Sequence, residues 1–114
     1  MMTTQIRIDP AEGCWVARAE GAIIAESRAA LMLTEGARAP VIYFPRADVA
    51  MAFLEPSARV TRCPHKGETA YFSIMGPSAT VPDAAWSYEA PLPGVAGIAG
   101  AIAFDPALVT VERI

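Results

Sequence analysis

Lysine and histidine are almost missing from this chain: its 114 residues hold one of each, the neighbours His65 and Lys66. Lys and Arg together number 9 against 12 Asp and Glu, for a net charge of −3. Binding along a nucleic-acid backbone needs clustered Lys and Arg and a basic balance. Only Arg59, Arg62 and Lys66 crowd together here, enough for one small anion, so no nucleic-acid partner is expected. Long hydrophobic runs are missing too, and none reaches the ~18 residues of a membrane span, so no membrane partner is expected either. Met1 to Ile8 has neither a charged n-region nor an apolar h-region, which argues against a secretory signal and for a cytoplasmic setting. Cysteine is limited to Cys14 and Cys63, expected in that setting as free thiols rather than a disulfide.

Uninterrupted stretches are scarce as well. Ten prolines and eight glycines are spread along the whole chain, which argues against a helical bundle and for short elements joined by tight turns. Hydrophobic residues make up 54%, but 23 of them are alanines, so large apolar side chains are fewer than that figure suggests. The length fits one domain, 1–114, with a core of its own.

What is present alternates. Ile6 and Ile8, Cys14 to Ala19 and Ala22 to Ala25 read as strands, with Glu20-Gly21 as a two-residue hairpin turn. Ala30 to Thr34 and Val41 to Phe44 follow, and Pro45 to Asp48 reads as one helical turn begun by proline. Met51 to Leu54 is an apolar run, Arg59 to Arg62 a strand, and Thr69 to Met75 another with Phe72 and Ile74 on one face. Gly76-Pro77-Ser78 and Pro82-Asp83 read as turns, and Ala84 to Glu89 as a strand with Trp86 and Tyr88 on one face. A helical turn near Val95 precedes closing strands at Ala101 to Phe104 and Leu108 to Glu112. The fold class is therefore mainly β: about eight short, mostly antiparallel strands, closed as a barrel or packed as two sheets, with one or two helical turns. The alternation predicts a core of Ile42, Phe44, Phe72, Ile74, Ile102 and Phe104.

The chemistry gathers in Thr61 to Ser73. Cys63, His65 and Lys66 place a thiol, an imidazole and an ammonium within four residues. Pro64 fixes φ and Gly67 permits a turn closed to other residues, so the loop can hold Lys66 in one orientation. A held ammonium, helped by Arg62, suits a carboxylate or phosphate; the plainer alternative is a solvated lysine paired with Glu68. Arg62, His65 and Lys66 would favour the thiolate a Cys63 nucleophile needs, whereas a small buried residue ending a strand is the plainer account of Cys63. His65 has the chemistry of a general base. Asp48 either orients Lys66 or caps its own turn, and a metal on Cys63 and His65 would need ligands from elsewhere, such as Asp48. Tyr43, Tyr71, Trp86 and Tyr88 read as an aromatic wall for a flat ligand, or as core. The short link between Thr69–Met75 and Ala84–Glu89 predicts that they pair antiparallel, so that Lys66 and Trp86 line one cavity.

Three spaced motifs, Tyr43-Phe44-Pro45-Arg46-x-Asp48-Val49, Cys63-Pro64-x-Lys66-Gly67-x-x-x-Tyr71 and Ala85-Trp86-Ser87-Tyr88, resemble domain-of-unknown-function family 427. The likeness extends from Ala25-Glu26-Ser27-Arg28-Ala29 to Phe104. It implies a compact β domain similar to the β-tent or Mss4-like group, whose members often hold zinc with two cysteine pairs. Cys14 and Cys63 stand singly, with no C-x-x-C, so a tetrahedral thiolate site cannot be built within one chain, and no metal or cofactor is expected. The nucleotidyltransferase label sometimes attached to the family requires paired metal-binding carboxylates beside a Gly-Ser turn, which this sequence lacks.

Three readings remain at this level. The first is a small anionic or aromatic ligand bound by Tyr43, Arg62, Cys63, His65, Lys66, Gly67, Trp86 and Tyr88. The second is a small enzyme using Cys63 as nucleophile or Lys66 as electrostatic stabiliser, with Tyr43, Asp48 or His65 moving protons. The third is a structural domain that forms homo-oligomers through an edge strand.

Overall fold

The computed structural model describes residues 5–114. Among the described residues ten strands form three antiparallel sheets, and none closes into a barrel. The first sheet takes β1 (Ile6–Pro10), β4 (Leu31–Glu35) and β5 (Val41–Tyr43), in the order β1-β4-β5. The second takes β10 (Thr110–Arg113), β2 (Trp15–Ala19) and β3 (Ala22–Ser27), in that order. The third runs in sequence order through β6 (Leu54–Cys63), β7 (Gly67–Met75), β8 (Thr80–Ser87) and β9 (Ala103–Phe104). Short 3-10 turns occupy Arg46–Asp48, Met51–Phe53 and Pro93–Ile98. No described helix is long and apolar enough to cross a membrane.

Local chemistry explains the boundaries. Glu20 and Gly21 both adopt positive φ, +52° and +74°, the pair of left-handed residues that lets a two-residue loop follow the twist of β2 and β3. The Arg46–Asp48 turn follows Pro45, as the sequence predicts. Two expectations need correction. The apolar run from Met51 is a 3-10 turn, Met51–Phe53, leading straight into β6, which begins at Leu54 rather than Arg59. As the outer strand of its sheet, β6 tolerates Pro56, with a register shift between Pro56 and Val60. Pro82-Asp83 is likewise no turn but lies inside β8, where Asp83 at φ +51° absorbs an irregularity in the pairing with β7. The described residues form ten strands rather than about eight, and the segment expected at Ala101 to Phe104 shortens to the pair Ala103-Phe104.

The core divides in two. The larger part includes Phe44, Phe72, Ile74, Ile102 and Phe104, with Ile42 half-buried against it. This is the predicted set, so the strand phases are correct; a one-residue slip would have turned each set outward. Phe44 and Phe104 meet edge to face, with centroids 5.6 Å apart and planes at 73°, a geometry worth ~1 kcal/mol beyond burial. The smaller part gathers Leu33, Tyr43, Tyr88, Val95 and Ile98, with Cys63 and Trp86 packed at its margin. Backbone hydrogen bonds between Phe44 and Ile102, 2.7 and 2.9 Å, tie the first sheet's edge to the third.

Candidate functional site

The turn between β6 and β7 holds Lys66 from both sides. Its amide donates to the Cys63 carbonyl at 3.2 Å, and its own carbonyl accepts from Leu92 at 2.9 Å. Gly67 sits at φ +114°, a conformation closed to most L-residues. Pro64 and His65 form the exposed tip, while the lysine side chain turns inward and is only 7% exposed.

There Lys66 Nζ donates to Glu35 Oε1 at 2.5 Å. Glu35 is 6% exposed and ends β4 just before Gly36, at φ +55°. Burial opposes the charge on Lys66, but the hydrogen bond it gives to Glu35 and its interactions with Tyr88, Cys63 and the Glu35 carboxylate outweigh it, and its proton is held more tightly than an ordinary lysine's. The same hydrogen bond, against the cost of burial, holds the Glu35 carboxyl below its ordinary range. Both groups are charged at neutral pH, so Lys66 acts there as a fixed positive charge rather than a free amine. Desolvating such a pair costs several kcal/mol per ion by order of magnitude. Replacing such a pair by apolar residues of similar volume is often near neutral for stability.

A row of aromatics crosses the sheet beside the pair. Tyr71 and Trp86 are direct cross-strand partners of β7 and β8, and Trp86 Nε1 donates to the Tyr43 hydroxyl at 3.2 Å. The Arg59 guanidinium lies 4.5 Å from the Tyr71 ring centroid, and the Tyr71 hydroxyl is 3.1 Å from Thr61 Oγ1. Burial pushes the Tyr43 hydroxyl far above its ordinary range, and Tyr88 is raised for the same reason. Both phenols therefore keep their protons at neutral pH and serve as hydrogen-bonding groups, not bases.

These elements enclose a cavity of about 390 Å³, within the range of small-molecule sites. Tyr43, Arg62, Cys63, Lys66, Trp86 and Tyr88 all line it, so Lys66 and Trp86 do share one cavity. His65 and Gly67 do not: the imidazole is exposed at the turn tip, and the glycine contributes only its backbone conformation. Asp48 is also apart from it. Its carboxylate accepts from Ser27 at 2.6 Å and neither orients Lys66 nor caps its turn. Cys63 is a half-buried free thiol. Among the described residues no group of three or more His, Cys, Asp or Glu is arranged to hold a metal ion.

Sequence reasoning missed Glu35, Arg38, Thr69, Asp83 and Asp105, which line the same cavity. Glu35 carried one faint signal, a carboxylate at the last position of a mostly apolar strand. Arg59 was noticed only as a neighbour in a basic cluster, whereas it forms part of the wall. A second cavity, about 320 Å³, shares Val41 and Trp86 with the first. The rest of its lining is apolar and includes Trp15, Met32, Ile42 and Phe104.

Compared with known proteins, the chain matches no curated protein. A family model described as "Domain of unknown function (DUF427)" matches residues 7–114. With that match running over nearly its whole length, the chain belongs to the DUF427 family of domains of unknown function.

Proposed function

We propose that the cavity between β4, β5 and the third sheet binds a small molecule carrying an anionic group on a flat ring. The observation that carries this reading is the buried Lys66–Glu35 pair in the cavity wall. A charge pair less than a tenth exposed adds little to stability, and an ammonium fixed there has N–H donors left after its one bond to Glu35. Arg62 adds a second cation beside it, and Tyr71 with Trp86 offers the ring a stacking surface. The expected setting is cytoplasmic, consistent with two free thiols.

A thermal-shift screen of small carboxylates and phosphates tests the reading. Ligands that raise Tm in the native protein but not in Lys66→Met support it. A flat response across anions removes it.

A second reading is favoured by one observation: Cys63 lines the same cavity as Lys66. In that version the protein is a small enzyme in which Cys63 attacks and Lys66 stabilises developing negative charge. Alkylation of Cys63 by iodoacetamide no faster than free cysteine counts against it. Self-association through β6, the outer strand of its sheet with Val60 58% exposed, is a third reading; light scattering showing a monomer at all concentrations removes it.

A further inference from the structure

The two ends of the cavity carry different charges. Thr69, Tyr71 and Ser73 are alternate residues of β7, so the positions they mark extend ~13 Å along the strand at about 3.3 Å per residue. The Lys66–Glu35 pair lies toward the Thr69 end, next to the β6–β7 turn. At the other end the irregularity of β8 places Asp83 beside Ser73, whose Oγ accepts from the Asp83 amide at 3.2 Å. Ser57 Oγ donates to Asp83 Oδ1, and the Asp105 amide donates to the Ala84 carbonyl at 2.8 Å, which brings Asp105 alongside.

Both aspartates line the cavity. Among the described residues neither has an ion-pair partner, whereas Glu35 and Glu89 do. Arg59, which lines this cavity with Arg62, keeps its charge but sets its guanidinium over the Tyr71 ring and pairs with neither aspartate. The carboxylates do not make the case alone. They close the far end of a cavity whose near end holds a buried cation and whose middle is aromatic.

Resting on the reading above, that the Lys66 end takes an anion, we infer that the ligand is zwitterionic. Its carboxylate meets Lys66 and Arg62, its ring lies along Tyr71 and Trp86, and an ammonium or guanidinium group meets Asp83 and Asp105. A pure anion leaves the acidic end facing water, and a second anionic group placed there is repelled. A cation at that end supplies the charge that the two carboxylates lack.

Titration calorimetry with benzoate, benzylamine and a series of ω-aminoalkyl benzoates, starting at 4-(aminomethyl)benzoate, tests this. The best zwitterion is expected to bind roughly tenfold or more tighter than benzoate, a gain of about 1.4 kcal/mol, and benzylamine weakly. In D83N/D105N the advantage of the zwitterion over benzoate falls to about one. Asparagine keeps the acceptors for Ser57 and the Ala107 amide and tolerates positive φ, so that variant retains the local structure. Benzoate binding with no gain from any added ammonium overturns the zwitterion and leaves the anion reading standing. An advantage that survives in D83N/D105N overturns the role of the two aspartates. No binding by any member at about 10 mM, well beyond millimolar affinity, overturns both.

Discussion

Two cavities of similar volume, about 390 and 320 Å³, share Val41 and Trp86 in their walls. They differ in everything else. The second is lined by apolar side chains alone, and imperfect packing where the three sheets meet is enough to explain it. The first holds Lys66 and Glu35, both less than a tenth exposed, together with three arginines and two aspartates. Size therefore does not separate a site from a gap. Charge kept where burial opposes it does, because the attraction within a buried ion pair offsets desolvation only with excellent geometry and further hydrogen bonds.

The largest expected effect comes from breaking that pair on one side. Lys66→Met leaves the buried Glu35 carboxylate with only the exposed Arg38 guanidinium, 3.9 Å away, and should cost about 3 kcal/mol in urea unfolding, the low end for a broken buried pair. Glu35→Leu/Lys66→Met removes both charges and should recover most of that loss, while abolishing anion binding. Recovery of stability together with retained binding would place the site elsewhere.

The pH dependence follows from the two shifts. Glu35 is held below its ordinary 4.5, so its contribution is complete above about pH 4.5 and is lost as pH falls through its folded value. Lys66 is raised above its ordinary 10.5, so its contribution is complete below about pH 10.5 and is lost as pH rises through its folded value. The difference in Tm between the native protein and the double variant should thus be flat between those limits and change outside them. A difference that slopes through neutral pH would show that other groups control it.

Gly67→Ala should cost more than ~1 kcal/mol, because alanine pays for φ +114° even though the space beside it is open enough for a methyl group. A neutral result would mean that the turn relaxes freely and does not hold Lys66. The smallest effect belongs to the second cavity. Val111→Ile adds one methylene there and should stabilise by no more than ~0.8 kcal/mol, leaving anion binding unchanged. A loss of binding in that variant would join the two cavities into one site.

The fold was more legible than the site. Strand phases follow from local alternation, and Gly and Pro mark most boundaries, so Phe44, Phe72, Ile74, Ile102 and Phe104 are found where their spacing puts them. The exception at Asp83 is instructive. Proline followed by aspartate reads locally as a turn, but pairing with β7 keeps the segment in the sheet and converts the kink into an irregularity. The sharing of one cavity by Lys66 and Trp86 was legible from hairpin connectivity alone. Glu35 was not, since it meets Lys66 across 31 positions through two different sheets. No local pattern encodes that contact. His65 shows the converse: adjacency to Lys66 in sequence put it at the exposed side of the same turn.

The two tryptophans allow a direct test, because Trp86 lines both cavities and Trp15 only the apolar one. Their indole N–H groups donate to different partners, Trp86 to the Tyr43 hydroxyl and Trp15 to the Glu12 carbonyl, and give two resolved signals in a nitrogen–proton correlation spectrum. Titration with 4-(aminomethyl)benzoate should move the Trp86 indole signal saturably and leave that of Trp15 in place. Movement of Trp15, or of neither, would contradict the assignment of the charged cavity as the binding site.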